Sequence, residues 1–182
     1  MTTDMMNDIE RVLYDKEAIQ RRISELADQL TADYKDKNPI MVCVLTGAVF
    51  FYSDLLKKLN FPLDTDYIIC SSYAGTKSTG NLLITQDLRN QIAGRHVVIV
   101  EDIIDTGLTM YQLINNLKSR NPASLKVCVL CNKDIGKKQY DVPIDYCGFV
   151  VENKYIIGYG FDFHNKYRNL PVIGILKESI YT

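Results

Sequence analysis

Neither sign of charge predominates in this chain: 21 Lys and Arg stand against 22 Asp and Glu, a formal balance of −1. Wrapping nucleic acid or lying on an anionic membrane takes a broad basic face, so no global field recruits either partner and any anion site has to be local. Long apolar runs are missing as well. No stretch approaches the roughly 18 apolar residues of a membrane span, and no signal peptide precedes the first polar residues, so a soluble, cytoplasmic protein is expected. Neither nucleotide fingerprint occurs, since Gly-x-Gly-x-x-Gly and Gly-x-x-x-x-Gly-Lys-Ser/Thr are both absent. Cysteines number five, an odd count unsuited to a disulfide framework, and Cys43, Cys70, Cys128, Cys131 and Cys147 all lie in or beside apolar, strand-like segments. Cys128-Val-Leu-Cys131 has redox or zinc spacing. In an extended run residues three apart face opposite sides, however, and no second Cys or His pair follows, so free thiols are expected.

What is present organises itself around residues 96–109. His96 to Val100 is a β-branched apolar run of the kind found in a buried parallel strand, and it ends in acids, hydroxyls and one glycine. From Met110 the pattern changes, with Leu113, Ile114 and Leu117 at helical spacing, so Asp105 to Thr109 forms the strand-to-helix turn. A helix N-terminus offers unpaired N–H groups and partial positive charge; Thr106 and Thr109 add hydroxyl donors, and Gly107 permits close approach. This describes a seat for phosphate. Glu101 and Asp102 do the opposite, presenting carboxylates that suit a divalent metal or sugar hydroxyls. Helix capping by Asp105 or Thr106 explains part of the turn but leaves the acidic pair unexplained. Asp-Thr-Gly is also the aspartic-protease triplet, but that site needs two copies and one occurs here.

The remaining chain reads as a single α/β domain over residues 1–182, with 47% hydrophobic content for its core. Residues 1–14 read as an arm. Ile19, Ile23, Leu26 and Leu30 mark an amphipathic packing helix, and Ile40 to Leu45 the first buried strand. Leu45-Thr46-Gly47-Ala48 repeats the central arrangement of strand, glycine turn and apolar helix. Turns at the carboxyl ends of parallel strands share one crevice, which sets this loop beside the acidic turn. Asp66 to Ser72 is another strand, and residues 71–80 are small, polar and aperiodic, as an exposed connection or a lid would be. Leu125 to Cys131 leads to Lys133 at a strand end. Tyr155, next to a turn, has the aromatic face to stack on a base. Arg168 has the planar fork that suits phosphate. A lone His164 is given no role.

Val98-Ile99-Val100-Glu101-Asp102-Ile103-Ile104-Asp105-Thr106-Gly107-Leu108-Thr109 resembles the phosphoribosyl-pyrophosphate motif of type I phosphoribosyltransferases, and its Glu-Asp-Ile-Ile-Asp-Thr-Gly form resembles the hypoxanthine-guanine phosphoribosyltransferases. The likeness continues through residues 149–162 and 162–171 and spans about Val42 to Leu176. It implies an α/β type I phosphoribosyltransferase fold: a twisted, mainly parallel sheet flanked by helices, with a small hood over the C-terminal strand ends. The core would occupy about 40–132, and the hood about 133–170 with the N-terminal arm. It further implies transfer of a 5-phosphoribosyl group from phosphoribosyl pyrophosphate to a 6-oxopurine, giving IMP or GMP with release of pyrophosphate. In that scheme Asp105 is the catalytic proton acceptor, and Asp105, Thr106, Gly107, Leu108 and Thr109 bind the 5-phosphate. Glu101 and Asp102 hold ribose and Mg2+, with Asp162 serving a second metal's water shell. Thr46, Gly47, Ser72, Tyr73 and Arg168 bind pyrophosphate, while Lys133, Tyr155 and Ile156 bind the purine. Thr46 stands where some members carry lysine. A homodimer or homotetramer is implied. Two rivals share the fold: an RNA-binding regulator, disfavoured by the charge balance, and a transferase preferring xanthine.

Overall fold

The computed structural model describes residues 4–72, 82–136 and 138–182. A 3-10 turn at Met5–Asp8 leads into β1 (Ile9–Tyr14), α1 (Lys16–Tyr34), β2 (Ile40–Leu45), α2 (Val49–Leu56), β3 (Asp64–Ser72) and β4 (Leu82–Gln86). Then follow β5 (His96–Ile104), α3 (Leu108–Lys118), β6 (Ser124–Asp134), β7 (Tyr146–Glu152), β8 (Ile156–Ile157) and β9 (Ile173–Leu176). α1 begins where Asp15 caps it, its carboxylate accepting from Ala18 N at 2.7 Å. It buries Ile19, Ile23, Leu26 and Leu30, the stripe its sequence spacing predicts.

The larger sheet has the order β4-β3-β2-β5-β6-β7. All its pairs are parallel except β3 with β4, an antiparallel edge pair absent from the sequence reading. Strand residues alternate between two apolar layers. Met41, Cys43, Val98 and Val100 pack with α1 and α2, whereas Ile40, Val42, Val97 and Ile99 pack with Leu113 and Leu117 of α3. The chain runs from β2 outward to β3, then returns to β5 on the other side of β2, so the strand order reverses between β2 and β5. A crevice opens at the carboxyl ends of strands flanking such a reversal. The β2 end carries Thr46-Gly47 and the β5 end carries Glu101 to Thr109.

A second sheet has three strands in the order β1-β9-β8. β7 pairs with β6 and belongs to the larger sheet, while β9, beyond residue 170, is the middle strand of the small one. Within the N-terminal arm, β1 is a strand paired with β9. All five cysteines are free thiols, and burial pushes Cys43 and Cys70 up to about 12. Among the described residues no helix is long and apolar enough to cross a membrane.

Candidate active site

The turn after β5 is shorter than its sequence suggests. β5 continues to Ile104 and α3 begins at Leu108, so Thr109 is already the helix's second residue. Gly107 occupies the position before the helix with φ +86°, a left-handed conformation that glycine adopts without steric cost. A side chain there would also meet the Tyr140 carbonyl at 3.0 Å and Val142 at 3.1 Å. No side-chain cap closes α3 at this position; the Thr106 hydroxyl stands 3.5 Å from Leu108 N, at the outer limit of a hydrogen bond. The helix thus opens its first-turn amides toward a small cavity of about 120 Å³, lined by Glu101, Ile103 and residues 104–110.

Asp105 stands on the wall between this cavity and a second one of about 390 Å³, lined by Asp105, Lys133, Asn153, Lys154, Tyr155 and Tyr181. Lys133 reaches Asp105 Oδ2 at 2.9 Å across the mouth; its side chain is 12% exposed against 50% for the carboxylate. β6 positions this lysine because it runs on to Asp134, past the expected end at Cys131. Tyr155 is 53% exposed and leans on Tyr181 with ring centroids 4.5 Å apart. Ile156 is buried in β8, paired with Ile175, and does not line this cavity. Asn153 and Tyr181 were not singled out in the sequence. Nothing in their local pattern marks them; they reach the cavity because the chain's end packs beside Tyr155.

The acidic pair behaves differently. Glu101 Oε1 accepts from Asp102 N at 3.0 Å and Asp102 Oδ1 from Ile103 N at 2.7 Å. Burial and the adjacent Asp102 charge push the Glu101 carboxyl well above its ordinary range, and burial likewise raises Asp102, against the pull of Arg168. Across the reversal point the Leu45–Thr46 peptide is cis. Gly47 lies so close to Asp102 that an added Cβ would fall 1.7 Å from Oδ2, with Arg168 Nη1 3.3 Å away. Arg168 donates through Nη1 to the Gly160 carbonyl at 2.6 Å and pairs through Nη2 with Asp162 Oδ1 at 2.7 Å. Asp162 Oδ2 accepts from Asn165 N, so one lone pair of each oxygen is already used.

Of the residues expected from sequence, Glu101, Asp102 and 105–109 stand at the carboxyl end of β5, Gly47 packs on Asp102 with Arg168 beside it, and Lys133 and Tyr155 line the second cavity with Asp105; His164 is exposed. Tyr73 and the proposed lid at 73–80 lie outside the described residues, as does the side chain of Ser72. Lys138 was missed. Its ammonium bonds the Ile104 carbonyl at 3.2 Å and the Asn132 side chain, tying the segment after β6 beneath the β5 turn.

The sequence profile of the phosphoribosyl transferase domain matches residues 11–164. The hypoxanthine-guanine-xanthine phosphoribosyltransferase of Tritrichomonas foetus is 77% identical over 180 residues, 99% of this chain and 98% of that protein. The hypoxanthine-guanine phosphoribosyltransferase of Streptococcus thermophilus is 43% identical, covering 96% of this chain and 97% of its own. A crystal structure of a hypoxanthine phosphoribosyltransferase from Staphylococcus aureus superposes with a TM-score of 0.94 at 39% identity, over 100% of this chain and 99% of that one. With the open helix terminus, the paired acids and the crossed strand order all in one crevice, the match over most of the chain makes it a member of the phosphoribosyl transferase domain family.

Proposed function

We propose that this chain is a cytoplasmic purine-salvage enzyme that transfers a 5-phosphoribosyl group from phosphoribosyl pyrophosphate to hypoxanthine or guanine, giving IMP or GMP and pyrophosphate. The observation that carries the reading is the position of Asp105, on the wall shared by a phosphate-sized cavity at a helix N-terminus and a cavity edged by Lys133 and Tyr155. A nucleoside monophosphate carries its phosphate and its base at opposite ends, one for each of two adjoining cavities. The 77% identity to a protein named for three bases brings xanthine in as a third acceptor.

In this mechanism the amides of residues 106–109 and the Thr106 and Thr109 hydroxyls hold the 5-phosphate, and Glu101 and Asp102 fix the ribose hydroxyls. Tyr155 stacks on the purine, and Lys133 donates to its 6-oxo group. Asp105 accepts the proton that leaves the ring nitrogen as the new glycosidic bond forms. Arg168 and the Thr46-Gly47 backbone stabilise charge on the departing pyrophosphate. The donor set suits magnesium: Glu101 and Asp102 are two adjacent carboxylates at the end of β5, beside the helix terminus. Magnesium is bound by one or two carboxylates with substrate and water completing its shell, and when bound it supplies charge neutralisation to the pyrophosphate. Glu101 and Asp102 would hold it, and the second lone pairs of Asp162 would meet the water shell of a second ion. We further propose assembly as a homodimer or homotetramer, readable by sedimentation.

The test is incubation of the purified protein with donor, magnesium and each of hypoxanthine, guanine and xanthine in turn. Pyrophosphate and the matching monophosphate should appear together. No product with any of the three bases would overturn the assignment.

A further inference from the structure

Arg168 does not stand alone at the pyrophosphate end of the crevice. It is laced to a tight turn at residues 158–161: Gly160 N donates to the Arg168 carbonyl at 2.9 Å, and Arg168 Nη1 returns a bond to the Gly160 carbonyl at 2.6 Å. Gly160, with φ +104°, also lies flat against the β2 loop, because a Cβ there would fall 2.2 Å from the Gly47 carbonyl. This one turn therefore touches both groups assigned to the leaving pyrophosphate. Its own position needs an anchor, since it belongs to neither sheet.

The neighbouring Tyr159 provides one. Its backbone sits at φ +49°, a region a bulky residue seldom occupies unless its surroundings hold it there. Its ring is buried and tilts against Phe50 of α2 at 6.4 Å. Its hydroxyl donates to Asp54 Oδ2 at 2.7 Å, and the same oxygen accepts from Gln20 Nε2 of α1, also at 2.7 Å. Lys57 completes the carboxylate at 3.1 Å. Burial works to raise Asp54, but these donors outweigh it and hold the carboxyl below its ordinary value. Asp54 lies in α2, which follows the Thr46-Gly47 loop directly, so a bond from Tyr159 to Asp54 clamps the turn onto the helix that the loop itself begins.

We propose that Tyr159, acting through Asp54, is a positioning residue for the pyrophosphate half of the donor: it fixes Gly160, and through it Arg168 and the Gly47 carbonyl. Neither side chain touches the base or the 5-phosphate turn. The idea rests on the function proposed above and predicts an effect confined to one substrate.

Steady-state kinetics would be measured with donor varied at saturating hypoxanthine, then the reverse, alongside thermal unfolding. Tyr159→Phe, which keeps the ring and removes the hydroxyl, should raise the KM for donor about tenfold. It should leave the KM for hypoxanthine within about twofold. Asp54→Asn, which keeps an acceptor oxygen, should fall between Tyr159→Phe and wild type. Tyr52 of α2 supplies the control, being another buried tyrosine, whose hydroxyl bonds the Met41 carbonyl at 2.9 Å, away from the turn. Tyr52→Phe should lower stability and leave the donor KM alone. An unchanged donor KM in Tyr159→Phe, or an equal rise in Tyr52→Phe, would overturn the inference. Should Tyr159→Phe not fold, Asp54→Ala carries the same comparison, with the same rise expected and the same constancy fatal. Wild-type protein that makes no pyrophosphate refutes the function itself; an active enzyme with unmoved donor KM refutes only this.

Discussion

Asp66 and the Glu101-Asp102 pair are acids of one sheet, at opposite ends, the first buried and the others half-buried, and they meet desolvation in opposite ways. Asp66, near the start of β3, is 2% exposed, and its oxygens accept from the amides of Tyr67, Arg89 and Asn90 and from the Asn90 side chain, at 2.8 to 3.2 Å. Burial pulls its carboxyl upward, but those donors outweigh it and hold the group below its ordinary value. Glu101 and Asp102, at the end of β5, each accept from the next residue's amide and face one another, with the Arg168 cation pulling on Asp102. Both are pushed up. A buried carboxylate whose lone pairs are filled holds the fold together, whereas one left short of donors is stored demand for a ligand.

Removing an acid from the crevice should damage turnover and spare the fold. Asp105→Asn removes the proton acceptor but keeps the shape, so kcat should fall by about 10²–10⁴ with the melting temperature little changed. A variant turning over at the wild-type rate would take Asp105 out of the mechanism. The pair is a finer probe. Glu101→Gln with Asp102→Asn should cut kcat/KM for the donor by about 10², while relief of like-charge repulsion stabilises the protein without ligand by about 1 kcal/mol. If that double variant melted lower than wild type, the pair would be structural and the contrast with Asp66 would fail.

The crevice end of the sheet was the legible one. Glu101, Asp102 and Asp105 through Thr109 are contiguous, so a single stretch carries the acids, the glycine and the helix start. α1 and β2 followed from periodicity alone. What escaped depends on partners distant in the chain. Asp66 reads as one acid in a strand until Arg89 and Asn90 fold over it, and Asp54 as a solvated helix residue until Tyr159 arrives from 105 residues away. Tyr181 and Asn153 join the base cavity by packing. Sheet membership escaped for the same reason: β7 and β9 are both apolar strands, and only pairing tells which sheet each enters.

At the structural end the expected effects are smaller and fall on stability. Asp66→Asn exchanges an acceptor oxygen for an amide group that faces donors, leaving at least one buried N–H unpaired, at a cost of about 1–3 kcal/mol. For a chain of this length each kcal/mol lowers the melting temperature by about 2–4 °C. The segment at residues 87–92 should exchange its amide hydrogens faster, and kcat should stay at wild-type level. Loss of turnover without loss of stability would place Asp66 with the wrong class.

The two kinds of acid also differ in the sign of their pH dependence. Asp66 has a folded value below the unfolded one, about 3.9, so its contribution is complete above that pH and disappears as pH falls through the lower folded value. Glu101 has a raised folded value, so its contribution relative to the unfolded chain is complete below about 4.3 and is lost as pH rises through the folded value. Denaturant unfolding of the ligand-free protein between pH 3 and 7 should therefore give two separable limbs. The stability gap between wild type and Asp66→Asn should narrow below about pH 4, and Glu101→Gln should flatten the decline on the neutral side. A gap for Asp66→Asn that stayed constant down to the lowest pH would mean that its side-chain oxygens are not held as a charged acceptor, and the division between the two ends of the sheet would lose its electrostatic basis.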